Sequence, residues 1–304
     1  MNVLITSGGG AKGAFSVGAL RQLMATTGIR SFDLISGTST GALIAAMVAA
    51  GKIPAVTDIY LSNSNADILN KQNAIDNILN NKPYLYDTTP LENQIRQQMD
   101  AAAWNTIRQS SSVLCLNAVC LQTGRLSIFS SHPIQAGLHY DNLVINSTDM
   151  LVKALQSSSN QAVFMPPVTI NGLQYVDGGN REVIPTRTVV TNLPPGQEHR
   201  IYILSNNPDA QQPGNSNYTG LLDVLLRAVT IFIQDVREND LEVLRNFQQT
   251  ATAPVRVYYI SPEAELDPDF PTGLRFDRLL MQAWMKQGQL RAKTILQQYP
   301  DGNW

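Results

Sequence analysis

Charge is scarce in this chain of 304 residues: Asp, Glu, Lys and Arg together make up 15%, and the formal net charge is -2. No basic run or stripe is present, which argues against nucleic acid as a partner. Cysteine is scarcer still, with only Cys115 and Cys120. They stand five apart in a strand-like run, a spacing that sends them to opposite faces of a sheet, so they read as core residues and not as a disulfide or metal pair. Three histidines occur, His132, His139 and His199. Long apolar runs are missing too: the longest, 42–50, is too short to span a bilayer. The first residues carry no charged leader and no cleavage-like site, so no secretory signal is expected and the expected location is cytoplasmic. Calcium-ligand spacing is absent.

What is there is a 43% apolar fraction, enough for a sizeable core. No linker or internal repeat divides it, so a single α/β domain over 1–304 is expected. A β-prone run at 3–6 leads into Ser7-Gly8-Gly9-Gly10-Ala11-Lys12-Gly13. Helical spacing follows over 14–24, with Gly28 as its stop. A second strand over 32–36 runs into another turn and helix. This β-α-β-α opening predicts a parallel sheet with helices on its faces and both turns on one edge. Further on, 113–121 and 125–129 read as a strand pair around Thr123-Gly124, and 149–156 as a helix capped by Ser147 or Thr148. Val168-Thr169-Ile170 and Leu173-Gln174-Tyr175-Val176 flank Asn171-Gly172, a strong hairpin signal that delivers Asp177 at its exit. Strands at 200–204 and 255–260, a polar loop at 206–217 and helices at 220–246 and 276–296 complete the chain.

The second turn, Gly37-Thr38-Ser39-Thr40-Gly41, matches G-x-S-x-G, the nucleophile elbow. A strand that turns straight into a helix strains its apex and crowds the residues on either side, and Gly37 and Gly41 relieve that crowding. Ser39 is thereby offered over the N-terminus of a helix, where negative charge is favoured. The first turn satisfies G-x-G-x-x-G, and Asp33 lies 20 residues past Gly13, so a dinucleotide-binding oxidoreductase is the competing reading. Asp33 counts against it, because it begins the second strand and the ribose-binding acid belongs at the strand's end. Lys12 followed by Gly13 is not a P-loop order, and Lys12 itself reads as a solvated loop lysine. The surviving reading is a set of backbone N–H groups beside Ser39, an oxyanion hole. The serine needs a base. His199 opens a strand and so lies at the far edge; His132 and His139 precede Asp177 in the wrong order for a Ser-Asp-His hydrolase, and all three read as packing or surface residues. Asp177 acting directly on Ser39 is the leading arrangement.

Gly8-Gly9-Gly10-Ala11-Lys12-Gly13, Gly37-Thr38-Ser39-Thr40-Gly41 and Asp177-Gly178-Gly179, in this order, resemble the patatin-like phospholipases. Phe164-Met165-Pro166-Pro167-Val168 and the late run 257–262 extend the resemblance over most of the chain. Gln161 and the run Arg181-Glu182-Val183-Ile184-Pro185 depart from the family pattern. The resemblance implies a three-layer α/β sandwich with a mostly parallel central sheet and a lipid acyl hydrolase without cofactor or metal. It makes Ser39 the nucleophile, Asp177 the base, and Gly8, Gly9, Gly10 and Gly13 the oxyanion loop. The implied substrate is a lipid or other acyl ester, phospholipid or lysophospholipid foremost. Transient contact with a membrane surface is compatible with that, and a homo-oligomer is left open. The apolar helix from Leu221 to Ile233 reads as buried in the core or at a dimer contact, with an acyl channel or lid as the sharper alternative.

Overall fold

In the computed structural model of the chain, residues 1–70, 74–209, 217–268, 270 and 272–304 are described. The strands are β1 (Asn2–Thr6), β2 (Leu34–Thr38), β3 (Val113–Cys120), β4 (Leu126–Ser130), β5 (Tyr140–Val144), β6 (Val168–Ile170), β7 (Leu173–Asp177), β8 (His199–Leu204) and β9 (Val255–Ile260). The longer helices are α1 (Gly13–Thr27), α2 (Thr40–Ala49) and α3 (Ile53–Ser62); two short ones follow, α4 (Asn65–Ile68) and α5 (Ala74–Leu79). Then come α6 (Thr89–Gln98), α7 (Ala101–Gln109), α8 (Thr148–Ser159), α9 (Arg187–Asn192), α10 (Leu221–Thr250) and α11 (Arg278–Gln298).

The strands form one sheet in the order β5-β4-β3-β2-β1-β8-β9, with the β6–β7 hairpin attached to β3. β3, β2, β1, β8 and β9 are mutually parallel, and β4, antiparallel to β3, makes the sheet mixed. Strand alternation dictates the layers. Val3, Ile5, Ile201, Ile203 and Val257 face a core closed by α9 and α10, while Leu4, Tyr202, Leu204 and Tyr258 face one closed by α1, α2, α8 and α11. Cys115 and Cys120 fall on opposite faces, buried and free.

Local signals act at the positions the sequence marks for them. Gly28 takes the left-handed conformation (φ 72°) that ends α1. Ser147 Oγ accepts from Met150 N at 3.2 Å and starts α8. Asn171 and Gly172 both have positive φ (52° and 81°), as a tight hairpin turn requires. β2 begins and ends two residues later than expected, because its pairing with β1 and β3 carries it into the elbow. β5 was not expected at all: Tyr-Asp-Asn-Leu-Val is polar and mostly exposed, and it is held at the sheet edge by pairing with β4. Residues 210–216 of the polar loop lie outside the described residues.

Candidate active site

β1 and β2 are parallel, so the glycine loop and the elbow open at one edge of the sheet, called here the elbow edge. Ser39 sits between β2 and α2 with φ 59° and ψ -129°, a strained backbone for a residue with a side chain. Two close approaches hold it there. A Cβ on Gly37 would lie 2.4 Å from the Gly41 carbonyl oxygen, and one on Gly41 would lie 2.2 Å from the Thr6 carbonyl oxygen. The Ser39 amide donates to Ser158 Oγ at 3.0 Å, a hydroxyl supplied by α8.

The carboxylate arrives by a different route. β2 occupies one flank of β3 as far as the pair Thr38–Asn117, and β7 takes over the same flank from the next pair, Asp177–Ala118. The two strands thus meet tip to tip. Ser39 follows one tip and Asp177 ends the other, so the hydroxyl and the carboxylate stand at the same place, where the hydroxyl favours the ionised carboxylate. Asp177 Oδ1 also accepts from the Gly179 amide at 2.7 Å. Burial pushes its pKa up from 3.8 to about 6, with the Ser39 hydroxyl and the Gly179 amide pulling the other way.

Of the four glycine-loop amides, two are committed elsewhere. Gly8 N–H donates to the Val183 carbonyl at 3.2 Å, and Gly13 N–H closes the short turn onto Gly10. This corrects the expectation that all four belong to one donor cluster. Gly9 and Gly10, both at positive φ (148° and 56°), leave their amides without a backbone partner among the described residues. Asn206 Nδ2 caps the Ser7 and Gly8 carbonyls at 3.0 and 3.3 Å. Lys12 is not a solvated loop residue: it is buried, donating to Asn207 Oδ1 at 2.6 Å and Glu265 Oε1 at 3.1 Å.

A second polar cluster stands behind Asp177. Arg187 reaches both Glu182 (3.3 Å) and Asp240 (2.9 Å), two buried carboxylates whose pKa values burial pushes upward. Asn117 donates to Glu182, and Asp240 Oδ2 accepts from the amides of Val183 and Ile184 at 2.7 and 2.9 Å. Asp240 on α10 thereby fixes the segment whose Val183 carbonyl holds Gly8. The sequence carried no signal for Ser158, Asn206 or Asp240, since each acts across more than 50 residues.

The histidines stay away. His199 begins β8 at the edge opposite the elbow, with Nε2 2.9 Å from the Pro194 carbonyl oxygen. His132 follows β4, whose antiparallel run ends at that same far edge, and pairs with Ser131 at 2.8 Å. His139 precedes β5, three strands from β2, about 14 Å at ordinary strand spacing. Asp33 also lies at the far edge, accepting from Asn2 N at 2.7 Å, which removes the acid that the dinucleotide reading needed.

An apolar pocket of about 890 Å³, its open mouth included, begins at Ser39 and Gly10. Leu43 and Met47 of α2, Leu91 and Ile95 of α6, and Met165 line it. The family described as patatin-like phospholipase matches residues 4–192, more than half of the chain. The chain belongs to that family. Over 52 residues it is 50% identical to the cUMP-AMP-activated phospholipase of Escherichia coli, a match spanning 16% of either protein. Two solved structures are similar over 98% of this chain. VipD from Legionella pneumophila has a TM-score of 0.46 and 12% identity, with 66% of its own chain covered. The type III effector protein ExoU has a TM-score of 0.44 and 13% identity, with 52% covered.

Proposed function

We propose that this chain is a serine acyl hydrolase of lipid carboxylic esters, phospholipid or lysophospholipid foremost, and that it works through a Ser39–Asp177 dyad. The observation that carries the reading is the end-on meeting of β2 and β7 along β3, which brings the strained Ser39 and the buried Asp177 carboxylate together. Asp177 accepts the hydroxyl proton as Ser39 Oγ attacks the ester carbonyl carbon, and the amides of Gly9 and Gly10 receive the oxyanion. Collapse of the tetrahedral species expels the alcohol, which takes the proton from Asp177 and leaves acyl-Ser39. Asp177 then deprotonates a water that attacks the acyl group, and Ser39 is regenerated.

An aspartate is a weak base, so geometry and environment must compensate. The elbow fixes the hydroxyl, and burial makes Asp177 a stronger base than a solvated carboxylate. The pocket beside Ser39 gives the acyl chain an apolar lining. Labelling with a fluorophosphonate probe tests the reading. The wild type is expected to label and Ser39→Ala to stay unlabelled, and a panel of lipid esters then identifies the substrate. Equal labelling of both proteins would sink the assignment of Ser39.

A further inference from the structure

The first half of α10 is not in the core, which removes one of the two expected places for that helix, the core, and leaves the dimer contact and the channel or lid. Leu221 is 89% exposed and Phe232 67%, and Val224, Leu225 and Ile231 are exposed with them. The second half is buried: Leu241 and Leu244 pack in the core with Val3, Ile5, Ile201 and Ile203. The change-over has a fixed height. Arg237 donates to the carbonyls of Pro208 and Asp209, immediately beyond the elbow-edge end of β8. The far end of α10 leads through a short loop to Val255, which pairs with His199 at the opposite edge. Residues before Arg237 therefore rise past the elbow edge, and 16 residues at ~1.5 Å each make an overhang of about 24 Å.

Its surface is unusual for a soluble helix. At ~100° per residue, Leu221, Val224, Leu225, Val229, Ile231, Phe232 and Ile233 cover an arc of roughly 200°, about twice the stripe that one packing partner needs. Over the 16 overhanging residues the sequence carries three charges, Asp223, Arg227 and Asp235, a formal net charge of -1. Two more exposed apolar side chains stand near the mouth of the pocket. Val163 lies between the lining residues Gln161 and Met165, and Phe270 lies just before Gly273, whose carbonyl accepts from Ala11 N. No helix among the described residues is long and apolar enough to cross a membrane.

We infer that the overhanging half of α10, with Val163 and Phe270, is a docking surface for the lipid–water interface. The inference builds on the acyl-hydrolase reading and names where the substrate is taken from. An overhang of this length matches the depth of one leaflet, ~20 Å, half of a bilayer of ~40–45 Å. Sinking it brings the pocket mouth to the lipid surface, so an acyl chain passes from bilayer to pocket without crossing water. Near-neutral charge fits zwitterionic lipid, and the wide arc fits a medium that surrounds the helix better than a second protein lying on one side.

The test pairs binding with turnover. Ser39→Ala is sedimented with phosphatidylcholine vesicles, alone and with Leu225→Ser and Phe232→Ser added. The two serine substitutions are also placed in the otherwise intact protein, which is assayed on the same vesicles and on the soluble ester p-nitrophenyl butyrate. The expected result is a loss of at least tenfold in vesicle binding and in vesicle hydrolysis, with the soluble-ester rate within twofold. Vesicle binding within twofold of the parent overturns the inference, as does a parent that does not sediment at all. So does a dimer that becomes monomeric by light scattering while vesicle binding is retained, since a second copy then covers the helix. Loss of vesicle binding in a protein that hydrolyses neither ester supports docking while removing the hydrolase reading.

Discussion

In the proposed dyad an aspartate acts as the base without histidine, so it has to be less acidic than it is in water, and burial does this to Asp177 at an energetic cost. With its pKa at about 6, activity is expected to rise with pH through about 6 and then level off, read as kcat/KM on a soluble ester. Stability should run the opposite way. The folded-state pKa lies above the unfolded value, so the native protein holds the proton more tightly, and stability falls as pH rises from about 4 to about 6. Lifting the carboxyl from 3.8 to about 6 corresponds to about 3 kcal/mol. Asp177→Asn, which never ionises, is expected to lose turnover yet melt higher than wild type at pH 8, with the difference closing near pH 4. Thermal denaturation at both pH values checks this. The residue scale is also where sequence reasoning was least complete. Gly8 and Gly13 looked equivalent to Gly9 and Gly10, and only the Val183 carbonyl and the turn at Gly10 separate them.

At the scale of elements, α1 and α11 touch backbone to backbone. A Cβ on Gly18 would lie 1.9 Å from the Met285 carbonyl oxygen, and one on Gly288 would lie 2.0 Å from that of Phe15. Neither main chain has room to yield, so Gly288→Val should cost more than about 3 kcal/mol, well above ordinary overpacking. A drop in denaturation midpoint far larger than that of an exposed control such as Leu279→Val on the same helix would confirm it. Elements with strong periodicity or turn chemistry were legible: α1, the β6–β7 hairpin, β8 and β9 lie within a few residues of expectation. β5 was not, because an edge strand with polar residues carries no alternation to read. α10 was located correctly, and of the places expected for its first half the structure removes the core. Apolar residues around a helix say that it avoids water, and they do not say what it avoids water with.

Over the whole molecule, the family match ends at residue 192, but the sheet does not. β8 lies between β1 and β9, and α11 closes the core over α1. We propose that 1–304 unfolds as one unit. A single calorimetric transition is expected for the full chain, with no soluble folded product from a chain ending at 192. Two separated transitions would divide the domain.

The end-on encounter of β2 and β7 has one more consequence. Neither strand sets the spacing between hydroxyl and carboxylate; β3 does, by counting off Asn117 and then Ala118 along a shared flank. In the proposed dyad, a strand that contributes no reacting atom is therefore the ruler of the site. Lengthening it by one residue between those two rungs would slide the partners about 3.3 Å apart, a gap that no exchange of side chains could bridge.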